Sequence, residues 1–582
     1  MTDDVHREPM GETATLAERG SAPTTGGVEE DRTTAVPAPP ATEALDAGTD
    51  DSQHGHASES YYVIGEGLLN ESSGGREIGT ADAVVADGDR RALLAAAAAP
   101  PFRFSRMGPR GRQLGKAIRA RVARAMTAGG GGASGMPAGY TYLGQFIDHD
   151  MTFDKTKVTL GTNVAPTDLL QGRSPSLDLD SLYGAGPGDP GSERFYAADG
   201  RKLKMGRTEA VGPGPLGVQE GFDLPRSSAK RPIIPDHRND ENLAVGQTHL
   251  AFIRFHNRVA DEMASAPAAQ RFNRARRSVV KHYQWMIRHD YLPRICEASV
   301  VEDVFTNGRK AFEVGVRATD VPTMPIEFSV AAFRLGHAMI RRSYEWNREF
   351  DTASGVPGTL DLLFAFSSTG GGLGQGSRLP SNWIADWRRL YRFEPPALRV
   401  PAAKFNRAMR IDTTLVNPLD ALPPGSFGAK APPSDPLVAN LAFRNLARAK
   451  MVKLATGQAM VGFLNSRGVA VTALTKDQLR DGDNGADLGA LSQDQRRMFL
   501  EHTPLWFYIL REAELNDGKL TGVGARIVAE TFHRAMEGSR SSIVRDTAFR
   551  PSFGPDDQTF DMRDLLFFAF EGKEELLNPL GD

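Results

Sequence analysis

The sequence has almost no cysteine, little net charge and no long apolar run, and each of these shortages excludes a class of protein. One cysteine, Cys296, occurs among 582 residues, so an internal disulfide framework is excluded. No run of about 18 apolar residues is present, so no membrane span is expected. The net charge of −3 gives no reason to expect nucleic acid as a partner. With 40% hydrophobic and 24% charged residues, the composition is that of an ordinary soluble protein.

Signals for targeting and for nucleotide binding are missing as well. The acidic N-terminus carries no apolar segment of the kind found in secretory signals, which predicts a cytoplasmic protein. Export by a route that needs no such signal is the alternative. The glycine-rich stretches at 128–139 and 370–377 lack the G-K-[ST] of a phosphate-binding loop and the glycine spacing of a dinucleotide-binding loop. We therefore interpret both stretches as a hinge or loop.

The distribution of residue types along the chain predicts three regions. Residues 1–58 have almost no aromatics and many small and acidic residues, which predicts a disordered N-terminal segment. Residues 59–139, with a basic amphipathic pattern at 111–126, are predicted to form an extension that packs on the core. Residues 140–582 are predicted to form a single, mainly α domain with long loops. Its predicted helices are 141–153, 242–264, 270–292, 328–344, 437–464, 494–514 and 522–538.

The motif GQFIDHD at 144–150 is the most informative part of the sequence. Gln145 and His149 are four residues apart, so on a helix they lie on one face. Asp148 lies about 100° around the helix and reaches the rim of that face, whereas Asp150 points elsewhere. A histidine with an amide one turn before it is suited to a small polar oxidant above a cofactor. The alternative is an ordinary charged helix start at the surface.

Serines and aspartates alternate in SPSLDLDSLYG at 174–184. In an extended loop their oxygens would lie on one side, and such oxygens are the ligands that Ca²⁺ prefers. Asp150 is the candidate for a further carboxylate. The alternative is a plain Asp/Ser turn. The alternating residues are Ser174, Ser176, Asp178 and Asp180.

A third motif places Arg238 and Glu241 just before an apolar helical pattern. Arg238 carries a permanent positive charge, which is suited to stabilising charge as a peroxide O–O bond breaks. Glu241, three residues further on, is a candidate for the same pocket. The alternative is a helix N-terminus at which acidic residues simply complement the helix dipole.

A fourth motif, FSVAAFRLGHAMIRRSYEW at 328–346, embeds His337 in a helical pattern of small apolar residues. A lone histidine on an apolar face is usually a core residue with satisfied hydrogen bonds. Haem iron, however, requires a neutral imidazole in a dry wall whose small neighbours let the porphyrin approach. Such a ligand needs its second ring nitrogen held by an acceptor, and Asn445 is a candidate for that role.

These four motifs, in this order, resemble those of the animal-type haem peroxidase family of the peroxidase–cyclooxygenase superfamily, in its bacterial, peroxinectin-like branch. The resemblance covers about 140–579. It implies a helical haem-peroxidase domain that binds haem b and Ca²⁺. It also implies an oxidoreductase, of the kind that serves the response to oxidative stress, which reduces H₂O₂ and oxidises small phenolic, aromatic or halide donors through a ferryl intermediate.

The resemblance also assigns roles to individual residues. His149 is the distal histidine with Gln145 as its companion, Arg238 is the catalytic arginine, and His337 is the proximal iron ligand, supported by Asn445. The further haem contacts are Arg334, which matches a propionate-binding arginine, and Asp148 and Glu241, which match carboxylates that can form esters with haem methyl groups. The residues that match the calcium site are Asp150, Ser174, Ser176, Asp178 and Asp180.

Two positions depart from patterns found elsewhere in the superfamily. Asn242 stands where halide-oxidising relatives can carry a methionine bonded to haem, so that bond is excluded. Arg334 stands where dioxygenases carry a radical tyrosine, which favours peroxidase turnover over lipid oxygenation. The alternatives are a fatty-acid dioxygenase and a haem-binding adhesion or storage module without turnover. A module of that kind would need only His337.

Overall fold

The computed structural model of the chain describes residues 102–156, 158–211, 221–422 and 433–581, which belong to one structural unit. The predicted disordered segment 1–58 and residues 59–101 of the predicted extension lie outside the described residues. None of the described helices combines the length and the apolar character needed to cross a membrane.

Helices provide most of the regular structure, so the predicted mainly α fold is confirmed. The α-helices are α1 (Lys116–Met126), α2 (Gly139–Met151), α3 (Asp180–Tyr183), α4 (Leu243–Glu262), α5 (Ala268–Met286), α6 (Leu292–Ile295), α7 (Ala298–Asn307), α8 (Ile326–Ser329), α9 (Gly336–Met339), α10 (Leu360–Ala365), α11 (Ser368–Gly371), α12 (Leu441–Met451), α13 (Gly457–Ser466), α14 (Lys476–Asp481), α15 (Gln493–Glu501), α16 (Leu505–Glu514), α17 (Gly522–Gly538), α18 (Met562–Ala569) and α19 (Glu574–Leu577). Short 3₁₀ turns lie between them, and the two nearest the site are His237–Asp240 and Ala332–Leu335.

The strands are short and pair across long sequence separations. They are β1 (Phe104–Ser105), β2 (Ala133–Pro137), β3 (Gly206–Arg207), β4 (Phe222–Asp223), β5 (Met324–Pro325), β6 (Ser343–Tyr344), β7 (Gly358–Thr359) and β8 (Arg407–Met409). β1 pairs with β5 in parallel, and the pairs β2–β8, β3–β4 and β6–β7 are antiparallel. The first two of these pairs fasten residues 104–137 to the later part of the chain.

α4 is the central helix of the site. Apolar residues occur around nearly its whole circumference, so it is buried on almost all sides. The side chain of Asn242 caps its N-terminus by accepting a hydrogen bond from the Val245 N–H at 2.9 Å. α4 packs against α2, α5 and α18, and so joins the helix that carries His149 to the core.

The predicted helix 328–344 is wrong as one continuous element. The segment is divided into α8, a 3₁₀ turn and α9, and β6 follows. The break falls at Ala331, whose φ of −135° and ψ of −72° lie outside the helical region. The side chain of Arg334 donates to the Ser329 carbonyl at 2.8 Å, which replaces a helical hydrogen bond at the break.

Two further predicted helices are also divided. Segment 494–514 forms α15 and α16, separated at Pro504, which lacks an amide hydrogen and disfavours a helical residue before it. Segment 437–464 forms α12 and α13, and the side chain of Thr456 starts the second by capping the Ala459 N–H at 3.2 Å. The predicted helix 522–538 is confirmed as α17, and 141–153 and 242–264 agree with α2 and α4 to within two residues.

Candidate functional site

Every residue of α2 is buried, including the polar ones singled out by the sequence. Buried polar groups cost free energy unless they are hydrogen-bonded, so each of them requires a partner. Gln145 and His149 lie on one helical face, as predicted. Both approach the carboxyl group of Glu241, which lies between the 3₁₀ turn His237–Asp240 and α4.

The His149 imidazole is fully buried, and only one of its two nitrogens is hydrogen-bonded. Its Nδ1 lies 2.8 Å from Oδ1 of Asn239. Its Nε2 has no hydrogen-bond partner among the described residues and lies 3.7 Å from Oε2 of Glu241. Burial and the nearby Arg238 cation lower the pKa of His149 to about 3, so the ring is neutral near neutral pH.

Gln145 links α2 to the start of α4. Its Nε2 donates to Oε2 of Glu241 at 3.2 Å, and its Oε1 accepts from Nδ2 of Asn242 at 2.9 Å. The second oxygen of Glu241 is buried and has no hydrogen-bond partner among the described residues. Burial raises the pKa of Glu241 well above its ordinary value, although the Arg238 cation opposes the rise. Burial therefore favours the protonated form of the Glu241 carboxyl.

Arg238 is held against α2 by several hydrogen bonds. Its Nη2 donates to the carbonyl of His149 at 3.0 Å and to that of Thr152 at 2.8 Å. Its Nε and Nη2 also donate to the two oxygens of Asp236 at 3.0 and 2.7 Å. The guanidinium lies 4.2 Å from the ring centroid of Phe153. These contacts fix a permanent cation beside the imidazole of His149.

Asp236 and Arg173 extend this arrangement towards the predicted calcium loop. Arg173 donates through Nε to Asp236 at 2.7 Å, and its Nη1 lies 3.8 Å from Oδ2 of Asp180. Burial alone would raise the pKa of Asp236, but the Arg173 and Arg238 cations outweigh it and hold that pKa well below its ordinary range. Asp236 is therefore an anion between two cations.

Asp148 connects α2 to the segment around His337. Its Oδ1 accepts a hydrogen bond from the Thr152 hydroxyl at 3.3 Å, and its buried Oδ2 has no hydrogen-bond partner among the described residues. Burial raises the pKa of Asp148 to about 6, and the cations of Arg334 and Arg238 oppose the rise. Arg334 therefore lies close enough to Asp148 to act on its charge, which places the first and fourth motifs around a shared interior.

His337 is fully buried in α9, a helix that packs against α2. The Nδ2 atom of Asn445 lies 2.8 Å from Nδ1 of His337, so the two residues meet as the sequence suggested, but with the NH₂ group rather than the expected acceptor oxygen facing the ring. The indole ring of Trp506 lies edge-on to the imidazole, with ring centroids 6.3 Å apart. The predicted pairing of a histidine with an amide partner is thus present in the structure.

Three of the residues that the sequence singled out have a buried polar atom without a hydrogen-bond partner among the described residues. The atoms are Asp148 Oδ2, His149 Nε2 and Glu241 Oε1. Native interiors pair nearly all such atoms. Glu241 lies close to both Asp148 and His149, and α9 with His337 packs against the same helix α2, so these residues fit a site for a polar cofactor such as haem.

Two carboxylates of the predicted calcium site come together beside α3. Asp150 accepts hydrogen bonds from the N–H groups of Leu179 at 3.2 Å and Ser181 at 3.3 Å, and from the Ser181 hydroxyl at 2.9 Å. Burial and the nearby carboxylate of Asp180 raise the pKa of Asp150 to about 8. Oδ1 of Asp180 is buried and has no hydrogen-bond partner among the described residues. Two buried carboxyl groups as close together as those of Asp150 and Asp180 favour a cation between them.

The remaining predicted calcium ligands are only partly gathered there. Ser174 donates its N–H to Asp180 at 3.1 Å and Ser176 is buried, but the Asp178 carboxylate accepts a hydrogen bond from Ser539. In the part of the chain that the structure describes, no group of three or more acidic, histidine or cysteine side chains is arranged to hold a metal ion.

The predicted extended conformation of this loop is wrong. Leu177 and Leu179 have φ of 48° and 56°, in the left-handed region that leucine rarely adopts. Both leucines are fully buried, and burial of their side chains offsets the strain of this backbone. The alternation of serine and aspartate was visible in the sequence. The left-handed backbone at Leu177 and Leu179 was not, because glycine and asparagine are the residues that usually indicate it.

Three functional candidates were not found from the sequence. Asn239 and Asp236 stand in a helix-start pattern, where such residues usually serve as caps, and Asp236 does accept a hydrogen bond from the Arg238 N–H at 3.1 Å. Arg173 precedes the serine and aspartate alternation without any motif of its own. Their importance follows from three-dimensional contacts with His149 and Arg238.

Comparison with known proteins points to one family. Residues 149–367 match the animal haem peroxidase family, a range that includes His149, Arg238, Glu241 and His337. A peroxidase-like protein of Margaritifera margaritifera is 26% identical over 252 residues, which cover 35% of this chain and 32% of that protein. Thyroid peroxidase of Mus musculus is 28% identical over 186 residues, which cover 30% of this chain and 20% of that protein.

A solved structure agrees in fold. Peroxidase A from Dictyostelium discoideum superimposes with a TM-score of 0.51 and 16% identity, covering 83% of this chain and 94% of that chain. At this identity, the likeness shows the fold alone. The matched regions span 32% and 20% of the length of the two curated relatives.

Proposed function

Because the chain belongs to the peroxidase–cyclooxygenase superfamily, we propose that it is a haem peroxidase that reduces H₂O₂ and oxidises small phenolic, aromatic or halide donors. The observation that carries the proposal is a neutral, buried histidine beside a fixed cation. His149 has an unpartnered Nε2, and Arg238 donates to the carbonyl of His149 itself. A haem-binding module without turnover would need only His337, whereas this pair is suited to breaking a peroxide bond.

The buried residues that surround this interior fit haem b. His337 would be its iron ligand, and for that its proton has to sit on Nδ1 so that Nε2 keeps its lone pair. This requires the Asn445 carbonyl oxygen, rather than its NH₂ group, to face Nδ1. Arg334 would bind a propionate. When bound, haem supplies the electrons that reduce peroxide and recovers them from the donor.

In the proposed reaction, His149 moves one proton. Its Nε2 accepts the proton from one oxygen of H₂O₂ and returns it to the other oxygen, which leaves as water. A pKa of about 3 keeps this nitrogen free to accept. Glu241 lies beside the same nitrogen and accepts a hydrogen bond from Gln145, and both side chains orient the peroxide by hydrogen bonding.

Arg238 stabilises the negative charge that develops on the departing oxygen. Its contacts with Asp236, His149 and Thr152 use Nε and Nη2, so the guanidinium is fixed before the reaction begins. Preorganised charge of this kind contributes roughly 3–4 kcal/mol per donor in well-studied sites.

Two refinements of the proposal concern covalent attachment and metal binding. We propose that Asp148 and Glu241 form ester bonds to haem, since each has a buried oxygen without a hydrogen-bond partner among the described residues. The second refinement is a Ca²⁺ ion bound between α2 and the loop before α3. Its ligands would be Asp150, Ser174, Ser176, Asp178 and Asp180.

Rapid mixing of the purified protein with H₂O₂ tests the function. The variants His149→Ala and Arg238→Ala should each slow the peroxide-dependent change in the visible spectrum. The expected loss for His149→Ala is about 10²-fold, the usual scale for a positioned acid–base group. The two losses should not add, because both residues serve one bond-breaking event.

The matched control is His256→Gln, which alters another buried histidine of low pKa. His256 bonds to the Tyr183 hydroxyl at 2.9 Å and lies outside the site, so this variant should react like the wild type. A wild-type protein without any peroxide-dependent spectral change contradicts the proposal. Consumption of O₂ with a fatty acid would favour a dioxygenase instead.

A further inference from the structure

We infer that Asn239 is a positioning residue that holds the His149 imidazole in the tautomer with its proton on Nδ1, and that its amide couples this tautomer to that of His249. The inference rests on the proposed function, because the tautomer matters where Nε2 of His149 has to accept a proton.

The first step concerns the contact between Asn239 and His149. Oδ1 of Asn239 lies 2.8 Å from Nδ1 of His149. An amide oxygen can only accept a hydrogen bond, so Nδ1 has to carry the proton. In a neutral imidazole the other nitrogen then keeps its lone pair, and in His149 that nitrogen is the unpartnered Nε2.

The second step concerns the orientation of the Asn239 amide itself. An amide turned by 180° would place its NH₂ group against Nδ1 of His149 and favour the opposite tautomer. Nδ2 of Asn239, however, lies 2.9 Å from Nδ1 of His249. An NH₂ group can only donate, so His249 has to accept at Nδ1 and carry its own proton on Nε2. Turning the amide would exchange the tautomers of both rings together, so Asn239 couples the tautomer of His149 to that of His249.

The third step concerns charge around the two rings. The charged and titratable groups that act on His149 are Arg238, Asp236, Arg173 and Glu241. The NH₂ group that faces Nδ1 of His249 requires that nitrogen to carry no proton, and the Arg238 cation held on the His149 carbonyl disfavours a second positive charge on the His149 ring, so both rings are neutral. Between two neutral rings, the choice of tautomer is the property that Asn239 controls.

The same short turn thus supplies two parts of the chemistry. Arg238 and Asn239 are neighbours in the 3₁₀ turn His237–Asp240, which Asp236 starts. Arg238 brings the cation, and Asn239 keeps the base in the form that can accept a proton. His249, in the second turn of α4, ties the 3₁₀ turn to the buried helix of the core.

The test compares the ¹⁵N spectra of histidine-labelled protein, with the holoenzyme reduced and bound to carbon monoxide so that its iron is diamagnetic. In the wild type, the His149 signals should show a protonated Nδ1 and a bare Nε2. The variants Asn239→Leu and His249→Phe should both shift His149 to a mixture of tautomers. His249→Gln, which restores an acceptor for the amide, should return the wild-type signature.

The kinetic arm uses the same variants. Asn239→Leu and His249→Phe should slow the peroxide step by about 10-fold or more, since part of the protein then holds the wrong tautomer. The control is Asn257→Leu, which removes another buried asparagine of the same region, bonded to the backbone of Leu203 at 2.8 Å. It should keep the wild-type rate per folded molecule.

The outcomes separate the two proposals. An unchanged Nδ1–H signature of His149 in both Asn239→Leu and His249→Phe would overturn the positioning role. If Asn257→Leu slowed the peroxide step as much as Asn239→Leu, the effect of Asn239 would reflect protein stability rather than positioning of His149, and the inference would be wrong. If the protein holds no haem or ignores peroxide, the proposed function fails, and the ¹⁵N signature of the labelled protein still decides what Asn239 does.

Discussion

Burial sets the protonation of individual residues around His149. It lowers the pKa of His149 to about 3 with help from Arg238, raises that of Asp148 to about 6, and raises that of Glu241 well above its ordinary value. Near neutral pH the site therefore combines a neutral base with a fixed cation, and burial favours the protonated form of the Glu241 carboxyl.

The pH dependence of the peroxide step follows from these shifts. Since His149 stays neutral until the pH approaches its lowered pKa, we expect no loss of rate centred on 6.5, the pKa of an ordinary histidine, between about pH 7 and pH 5. Asp148 titrates within this interval, and any change near pH 6 should disappear in Asp148→Asn. Rapid mixing with H₂O₂ across this range measures both effects. An acidic limb near pH 6.5 that persists in Asp148→Asn would contradict the expectation.

At the level of residues, the sequence was informative where chemistry and spacing coincide. Gln145 and His149 share a face because they are four residues apart, and His337 and Asn445 meet as expected. Asn239 was not predicted, because an asparagine before a helix is usually a cap. Only the fold brings its amide between two histidines that are distant in sequence.

Among the elements, the loop before α3 and the 3₁₀ turn are joined by buried charges. Arg173 bonds to Asp236 at 2.7 Å, and Asp236 in turn holds Arg238. Arg173→Leu should leave Asp236 half-paired in the interior and lower the free energy of unfolding by about 3–5 kcal/mol, the usual cost of breaking a buried ion pair. It should also slow the peroxide step, because Asp236, which anchors Arg238, keeps only one of its two cationic partners.

A matched variant separates stability from positioning. Arg526 is similarly buried and pairs with Glu530 through Nε at 2.6 Å, far along the chain from the site. Arg526→Leu should lower the free energy of unfolding comparably but leave the peroxide step of the folded protein unchanged. Denaturant unfolding and rapid mixing measure the two quantities, and equal kinetic losses in both variants would refute the role of Arg173.

The close packing of α2 against the side chain of Tyr291 gives a second prediction at the level of the secondary-structure elements. A Cβ at Gly144 would lie 2.3 Å from the Tyr291 hydroxyl, so Gly144→Ala should displace the helix that carries His149. Overpacking of this kind costs about 1–3 kcal/mol of unfolding free energy. Gly462→Ala in α13, where nothing lies within 4 Å, should instead stabilise by roughly 0.5–1 kcal/mol. Thermal unfolding of both variants checks the contrast, and a neutral Gly144→Ala would contradict it.

The breaks between helices show what periodicity alone misses. Pro504, which separates α15 from α16, was visible in the sequence as a helix breaker. The break at Ala331 was not, because alanine favours a helix and the bend depends on the hydrogen bond from Arg334 to Ser329. Segment 328–344 therefore follows a side-chain hydrogen bond within the segment rather than the helix propensity of its residues.

At the scale of the whole molecule, the predicted calcium loop joins parts of the chain that are far apart in sequence. Asp150 belongs to α2, Asp178 bonds to Ser539 beyond α17, and Asp180 approaches Arg173. The sequence predicted the ligand types here, but not that Asp178 would face Ser539. A cation between these carboxylates would stabilise the helix of His149 and its surroundings together.

Removal of calcium should therefore destabilise the protein, and more so at high pH. Without the ion, burial and the Asp180 carboxylate hold the pKa of Asp150 at about 8, above its ordinary value of 3.8. A folded-state pKa that is raised in this way means that stability is lost as the pH rises through about 8. Bound calcium favours the ionised carboxylate and removes this loss.

The difference in Tm between calcium-loaded and chelated protein should thus widen from about pH 6 to about pH 9, as scanning calorimetry measures. Asp150→Asn abolishes the titration and should make the chelated Tm less dependent on pH in this range. Active protein in which elemental analysis finds no calcium, or a Tm difference that stays constant with pH, would refute the site.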